Sequence, residues 1–317
     1  MGGPPRADFL NAAGGPLSTV FPPQPMFPRP LRALALLAAL VVTGARAQAA
    51  PAAPAEPPQE TMAEHRLKDI VVRQKVLFAD AAAQGKELDE AQFKSQVEQL
   101  VREYESLLRD NPEFAAGYAS YGYMLWKVSM RKRAVEILLK ANQLDPNIPL
   151  VKNELGNYLA EEGRPVEALN YFLSAIDLEP GEPLYHYQLG TLLYEARDDL
   201  LRTGEWSRAA LDHSMHEAFL KASELAPDRF EFTYRYAESF YDMAEPDWPA
   251  ALKVWEGLEA RSQSEIERET MRLHQANVLL NMGKRDRALK LLDTVTDPAA
   301  AAQKQKLVAR LQAEAGK

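Results

Sequence analysis

The sequence reads as an all-α protein made of stacked antiparallel helix pairs. No stretch of any length alternates apolar and polar residues as a half-buried strand would. Gly122, Gly156 and Gly190 recur every 34 residues, and Pro112, Pro146 and Pro180 keep the same interval. A fixed period of this length marks a chain built from repeated supersecondary units. The 22 prolines are unevenly placed, with 12 of them in the first 58 residues. The chain is therefore a proline-rich head on a repetitive helical body.

In the head, residues 33–42 are uninterrupted apolar, Arg29 and Arg32 precede them, and Ala45-Arg46-Ala47 follows. A basic flank, a short apolar run and a small-x-small site form the layout of a secretory signal peptide cleaved after Ala47. The apolar run is too short for a comfortable permanent bilayer span, and no later run reaches membrane length. Met26 opens a well-proportioned signal, so residues 1–25 read as a non-native extension and residues 26–47 as the signal. Removing residues 1–47 takes four basic and one acidic residue from totals of 37 and 45, so the exported form carries a net charge of -11. Residues 48–58, rich in Pro and Ala, read as an extended linker. The expected location is periplasmic or extracellular. The chain has no cysteine, so packing alone must hold the fold in an oxidising compartment. An acidic balance also excludes broad nucleic-acid affinity.

Residues 59–112 carry two long helical patterns, Thr61–Ala83 and Leu88–Arg109, which read as a divergent first pair. Repeats follow at 113–146, 147–180, 181–227, 228–262 and 263–297. The second is the clearest, with Leu155-Gly156-x-x-Leu159, Ala168, Phe172, Ala175 and Pro180. The first has Tyr121-Gly122-x-x-Leu125, Ala134, Leu138, Ala141 and Pro146. Small residues let two helices approach closely, larger ones fill around them, and the proline ends the second helix. The third unit opens with Leu189-Gly190-x-x-Leu193, but Phe219, Ala222 and Pro227 arrive 13 residues late. Split between two helices, the insert predicts a hairpin protruding by about 10 Å at a rise of about 1.5 Å per residue. Residues 298–317 read as an amphipathic helix that caps the last unit.

The period, the small residue, the alanines and the closing proline make the body resemble the tetratricopeptide repeat (TPR) family. The resemblance implies a right-handed superhelical solenoid of about five to six helix pairs plus the capping helix. It also implies that the first helix of each pair lines a concave groove for a partner peptide or helix. Mapped onto this chain, that face carries Tyr123, Trp126 and Lys127, then Asn153, Asn157 and Glu161. It continues through Tyr187, Thr191 and Tyr194, then Tyr234, Arg235, Glu238 and Tyr241, and ends at Asn277 and Asn281. One variant of the family clamps a C-terminal carboxylate with paired lysine and asparagine. Here Ala119 stands where such a lysine would fall, so the resemblance does not extend to that ligand.

No catalytic motif is present: there is no glycine-rich phosphate loop, no Gly-x-Ser-x-Gly and no His-Glu-x-x-His. His213 and His216 sit at helical spacing beside Asp212, but a metal site needs a further ligand on the same face, and the spacing reads as helix surface. No cofactor or metal is expected. The expected function is a non-enzymatic adaptor or scaffold of the bacterial cell envelope. The alternatives are a structural solenoid that self-associates through the insert, with Trp206 as the contact, and an accessory subunit of an envelope enzyme or secretion complex.

Overall fold

The computed structural model describes residues 60–315. The extension, signal, linker and cleavage residues Ala45 and Ala47 lie outside the described residues. Every regular element among the described residues is helical. The chain divides into two compact units, one ending at Glu179 and the other beginning at Pro180, where the second repeat closes.

The first unit holds three helix pairs. Helices α1 (Met62–Gln84) and α2 (Glu90–Asp110) are far longer than the 13 and 14 residues of α3 (Ala115–Lys127) and α4 (Arg131–Leu144). The third pair is α5 (Pro149–Glu161) and α6 (Pro165–Leu178). Thr61 starts α1 with a capping box: its hydroxyl accepts from the Glu64 amide at 3.2 Å, and the Glu64 carboxylate accepts from the Thr61 amide at 2.7 Å. The long pair closes on a buried hydrogen bond, Tyr104 donating to Gln74 Oε1 at 2.7 Å, and Tyr104 stacks on Tyr121 of α3 at 5.2 Å.

The repeat marks act as contacts. A Cβ on Gly122 would stand 2.7 Å from Leu138 Cγ and 3.3 Å from the Leu138 amide nitrogen, and one on Gly156 would stand 2.9 Å from the Phe172 ring. Helices α3 and α4 approach that closely only without a side chain. Gly122→Val is therefore expected to lower the unfolding free energy by about 1–3 kcal/mol in urea titration, because Leu138 is fully buried and backed by backbone. The prolines work in two sets. Pro112, Pro146, Pro180 and Pro227 each follow a helix end by two residues, whereas Pro149, Pro165 and Pro183 open the next helix.

Three of the turns inside pairs share one geometry. Gly163 has φ 70° and its neighbour Arg164 bonds back to the Leu159 carbonyl at 2.9 Å. Gly283 has φ 71°, with Lys284 bonded to Leu279 at 2.8 Å. This is the left-handed helix cap that glycine favours. Ser129, one period before Gly163, holds the same cap at φ 62° with a side chain attached. Relief of that strain makes Ser129→Gly stabilising by up to about 1 kcal/mol, read as a higher denaturant midpoint.

The second unit runs from α7 (Pro183–Glu195) through α8 (Arg197–Arg202) and α9 (Arg208–Leu225) to α10 (Phe230–Ser239). After a 3₁₀ turn at Phe240–Asp242 come α11 (Trp248–Arg261), α12 (Glu265–Asn281), α13 (Arg285–Asp293) and α14 (Ala301–Ala315). Gly190 repeats the close approach, its absent Cβ falling 2.8 Å from Phe219. The 13-residue insert is not shared as two lengthened helices. Helix α7 keeps the 13 residues of α3 and α5, α8 is a separate six-residue helix, and α9 grows to 18 residues. Arg197 ties the start of α8 to its neighbours. Its guanidinium lies 2.9 Å from Asp212 on α9 and 2.9 Å from Asp242 after α10, and Leu200 of α8 is buried. Trp206, in the turn between α8 and α9, is half-buried.

Helix α14 seals the end of this unit with Leu307 and Leu311 in the core around Trp255, Leu279 and Leu292. Lys304 caps the preceding chain at the Val295 carbonyl, 2.8 Å away.

Candidate partner-binding faces

Helices α3 and α5 bring the first set of expected residues together within the first unit. Tyr123 is buried, and the Lys127 ammonium sits over its ring at 5.2 Å. Arg131 stacks over Trp126 at 5.0 Å and pairs with Glu161 of α5. Between these contacts lies Glu154, a buried carboxylate that the repeat pattern does not single out. Asn153 donates its side-chain amide to Glu154 Oε1 at 3.1 Å, and Asn157 reaches Oε2 at 3.5 Å. Burial pushes the Glu154 carboxyl up, against the opposing pull of Lys127 and the two amides. Burial likewise pulls the Lys127 ammonium down. Asn153 itself has no exposed surface, and its Oδ1 has no partner among the described residues.

The second unit gathers the remaining residues on α7, α10, the 3₁₀ turn after it and α12. Tyr187 is mostly an anchor, packed at 5.8 Å from Phe219 and 4.7 Å from Phe232. Thr191 turns its hydroxyl back to the Tyr187 carbonyl at 2.9 Å. The Tyr194 ring carries Arg197 at 5.3 Å and Arg235 at 4.7 Å. Arg235 also bonds Glu238 at 2.5 Å, and burial raises the Glu238 carboxyl despite that cation. Tyr234 and Tyr241 both turn toward His274, with hydroxyls 3.2 Å from Nε2 and 3.3 Å from Nδ1. His274 is fully buried, stacked on Trp255 at 3.9 Å and 7°, and burial drives its pKa down to about 3.

Asn277 and Asn281 are engaged by the chain itself. Arg310 on α14 donates Nη1 to Asn277 Oδ1 at 3.0 Å and Nη2 to Asn281 Oδ1 at 2.7 Å. Of the expected contacts, Trp126, Lys127, Glu161, Thr191, Tyr194 and Arg235 keep partial exposure, whereas Asn153, Asn157, Glu238, Asn277 and Tyr123 are buried. The histidine pair separates: His213 is exposed, and His216 is buried with Nδ1 2.8 Å from Ser239 Oγ. The described residues contain no cluster of three or more side chains suited to a metal ion.

Glu154, His274 and Arg310 contact these side chains and are not found by repeat marks alone, whereas Trp255 is itself a mark of the fourth unit. For Glu154 a signal exists: Ser120, Glu154 and Gln188 occupy one phase of the period, a polar seam beside the apolar marks.

The fold is TPR-like. YrrB, described as a TPR protein with an unusual peptide-binding site, is 18% identical, with a TM-score of 0.52 over 67% of this chain and 97% of that one. PilF of Pseudomonas aeruginosa is 17% identical, with a TM-score of 0.53 over 77% of this chain and 99% of that one. No family model matches the sequence. No curated protein matches it. No helix among the described residues is long and apolar enough to cross a membrane.

Proposed function

We propose that the chain is a non-enzymatic adaptor or scaffold, exported to the periplasm or outside the cell, that binds a peptide or helix of a partner protein. The observation that carries this reading is the composition of the first-helix faces. They hold part-exposed aromatic and charged side chains, such as Trp126 with Glu161 and Tyr194 with Arg235, fixed in place by Arg131 of α4 and by the buried Glu238. Ordered aromatic groups of this kind give large contact area at low entropy cost. The peptide-binding site described for YrrB, a protein of similar fold, supports the same use. The layout of Arg29, Arg32, the apolar run and Ala45-Arg46-Ala47 supports export.

A pull-down from envelope extract tests it. The tagged chain is expected to retain a defined protein, and Trp126→Ala combined with Tyr194→Ala is expected to reduce its recovery at least tenfold with helical content unchanged. Recovery that is the same for both forms contradicts use of these faces.

A further inference from the structure

We propose that the outer side of α1 is a self-association surface, pairing antiparallel and about a two-fold axis with the same side of α1 in a second copy of the chain. The inference goes beyond the adaptor reading and uses none of the side chains proposed above to meet a partner.

Helix α1 is apolar on two opposite sides. Ile70, Leu77 and Phe78 are buried in the core shared with α2 and α3. Val72, Val76, Ala79 and Ala83 are exposed, the two valines at 59% and 55%. At about 100° per residue these four fall in one narrow stripe, roughly 180° around the helix from the buried side. Their steps of four, three and four are those of a helix-pairing seam. A stack of helix pairs needs polar outer faces at its ends, because no further pair covers them. The last helix meets that need, since α14 exposes Gln305, Lys306 and Gln312. Helix α1, the first among the described residues, turns two valines outward instead.

The stripe is its own complement. When Val76 is level with Ala79 of an antiparallel second copy, Val72 is level with Ala83 of that copy. Two-fold symmetry repeats both pairings, so all four layers set a valine against an alanine. Large against small lets two helices approach closely and leaves no void. A parallel pair in register sets valine on valine and alanine on alanine, crowding some layers and emptying others. The antiparallel register also brings Arg73 beside Asp80 of the second copy on one flank, twice, and sets Lys75 against Ala82 of the second copy. Arg73 and Asp80 are exposed, and Arg73 bonds Glu103 through Nη2 at 2.6 Å, with Nε and Nη1 further donors on the same group. The chain as a whole has a net charge of -8, yet α1 carries Arg66, Lys68, Arg73 and Lys75 against Glu64, Asp69 and Asp80. Two acidic copies therefore meet here without mutual repulsion. The overlap from Val72 to Ala83 is about 17 Å long at a rise of about 1.5 Å per residue. A two-helix contact of that length falls short of the roughly 1,200 Å² of a stable interface, so the dimer is a weak, reversible one.

Sedimentation equilibrium of the full chain tests it. The average mass is expected to rise from monomer toward dimer between about 1 and 200 µM, as suits a small interface. Val76→Glu changes an exposed side chain and is expected to weaken association at least tenfold, with helical content unchanged by circular dichroism. The chain has no cysteine, so a mixture of the Val76→Cys and Ala79→Cys forms reports the register. On oxidation the mixture is expected to give a disulfide-linked heterodimer, and either form alone several-fold less dimer. A monomer at every concentration overturns the proposal and leaves the stripe to another kind of partner. Dimers unchanged by Val76→Glu overturn it as well, and their loss with Trp206→Ala places the contact on the insert. Association without the mixed disulfide overturns the antiparallel pairing. None of these results bears on the adaptor reading.

Discussion

Trp255→Ala lowers the unfolding free energy by about 4 kcal/mol, the cost of emptying a large aromatic site that cannot collapse. Trp255 is fully buried at the centre of the second unit's core. Its ring lies flat on His274 at 3.9 Å, edge-on to Tyr234 at 5.3 Å and stacked with Tyr241 at 6.4 Å. Truncation removes the floor under all three rings together. Urea titration checks it, and a loss below 1 kcal/mol contradicts the packing described. Trp255→Phe keeps part of the stack and is expected to cost roughly half as much.

Acid weakens the second unit through His274. The imidazole has an ordinary value of 6.5 when unfolded and about 3 in the folded chain, because burial disfavours its charged form. Below pH 6.5 the unfolded chain takes a proton that the folded chain refuses, so stability falls as pH falls toward 3. The slope approaches about 1.4 kcal/mol per pH unit. The groups that face the ring are the hydroxyls of Tyr234 and Tyr241 and the plane of Trp255. The buried carboxyls of Glu154 and Glu238 are raised, so they act in the opposite direction as pH falls. His274→Phe isolates the histidine. The difference in stability between wild type and variant is expected to shrink steadily from pH 7 to pH 5. A difference independent of pH over that range shows that His274 is free to protonate.

The repeat was legible because close helix approach leaves few choices of residue. Gly122, Gly156 and Gly190 sit against Leu138, Phe172 and Phe219, and a period is visible wherever the same contact recurs. Helix starts were legible too, since Pro149, Pro165 and Pro183 are compatible with a first turn and little else. The size of the insert could be counted, but not its course. Arg197 binds Asp212 and Asp242, and neither partner lies within local sequence reach.

The faces of the first helices could be placed by phase alone, yet phase does not say what a side chain meets. Tyr234 and Tyr241 look outward on a helical wheel, but their hydroxyls are held by a histidine 40 and 33 residues later in the chain. Asn277 and Asn281 look like partner contacts until Arg310 is seen on them. Partial exposure therefore leaves Trp126, Lys127, Tyr194 and Arg235 as the strongest contact candidates.

Site-specific photo-crosslinking tests the central claim, that partners meet the first-helix faces, most directly. Benzoylphenylalanine replaces Tyr194 in one form of the full chain and Leu173 in another, Leu173 lying on α6 with 43% of its surface exposed. After irradiation in envelope extract, the Tyr194 form is expected to give a discrete higher-mass adduct, and the Leu173 form none. Adducts from Leu173 with none from Tyr194 would place the partner on the second helices and contradict the account.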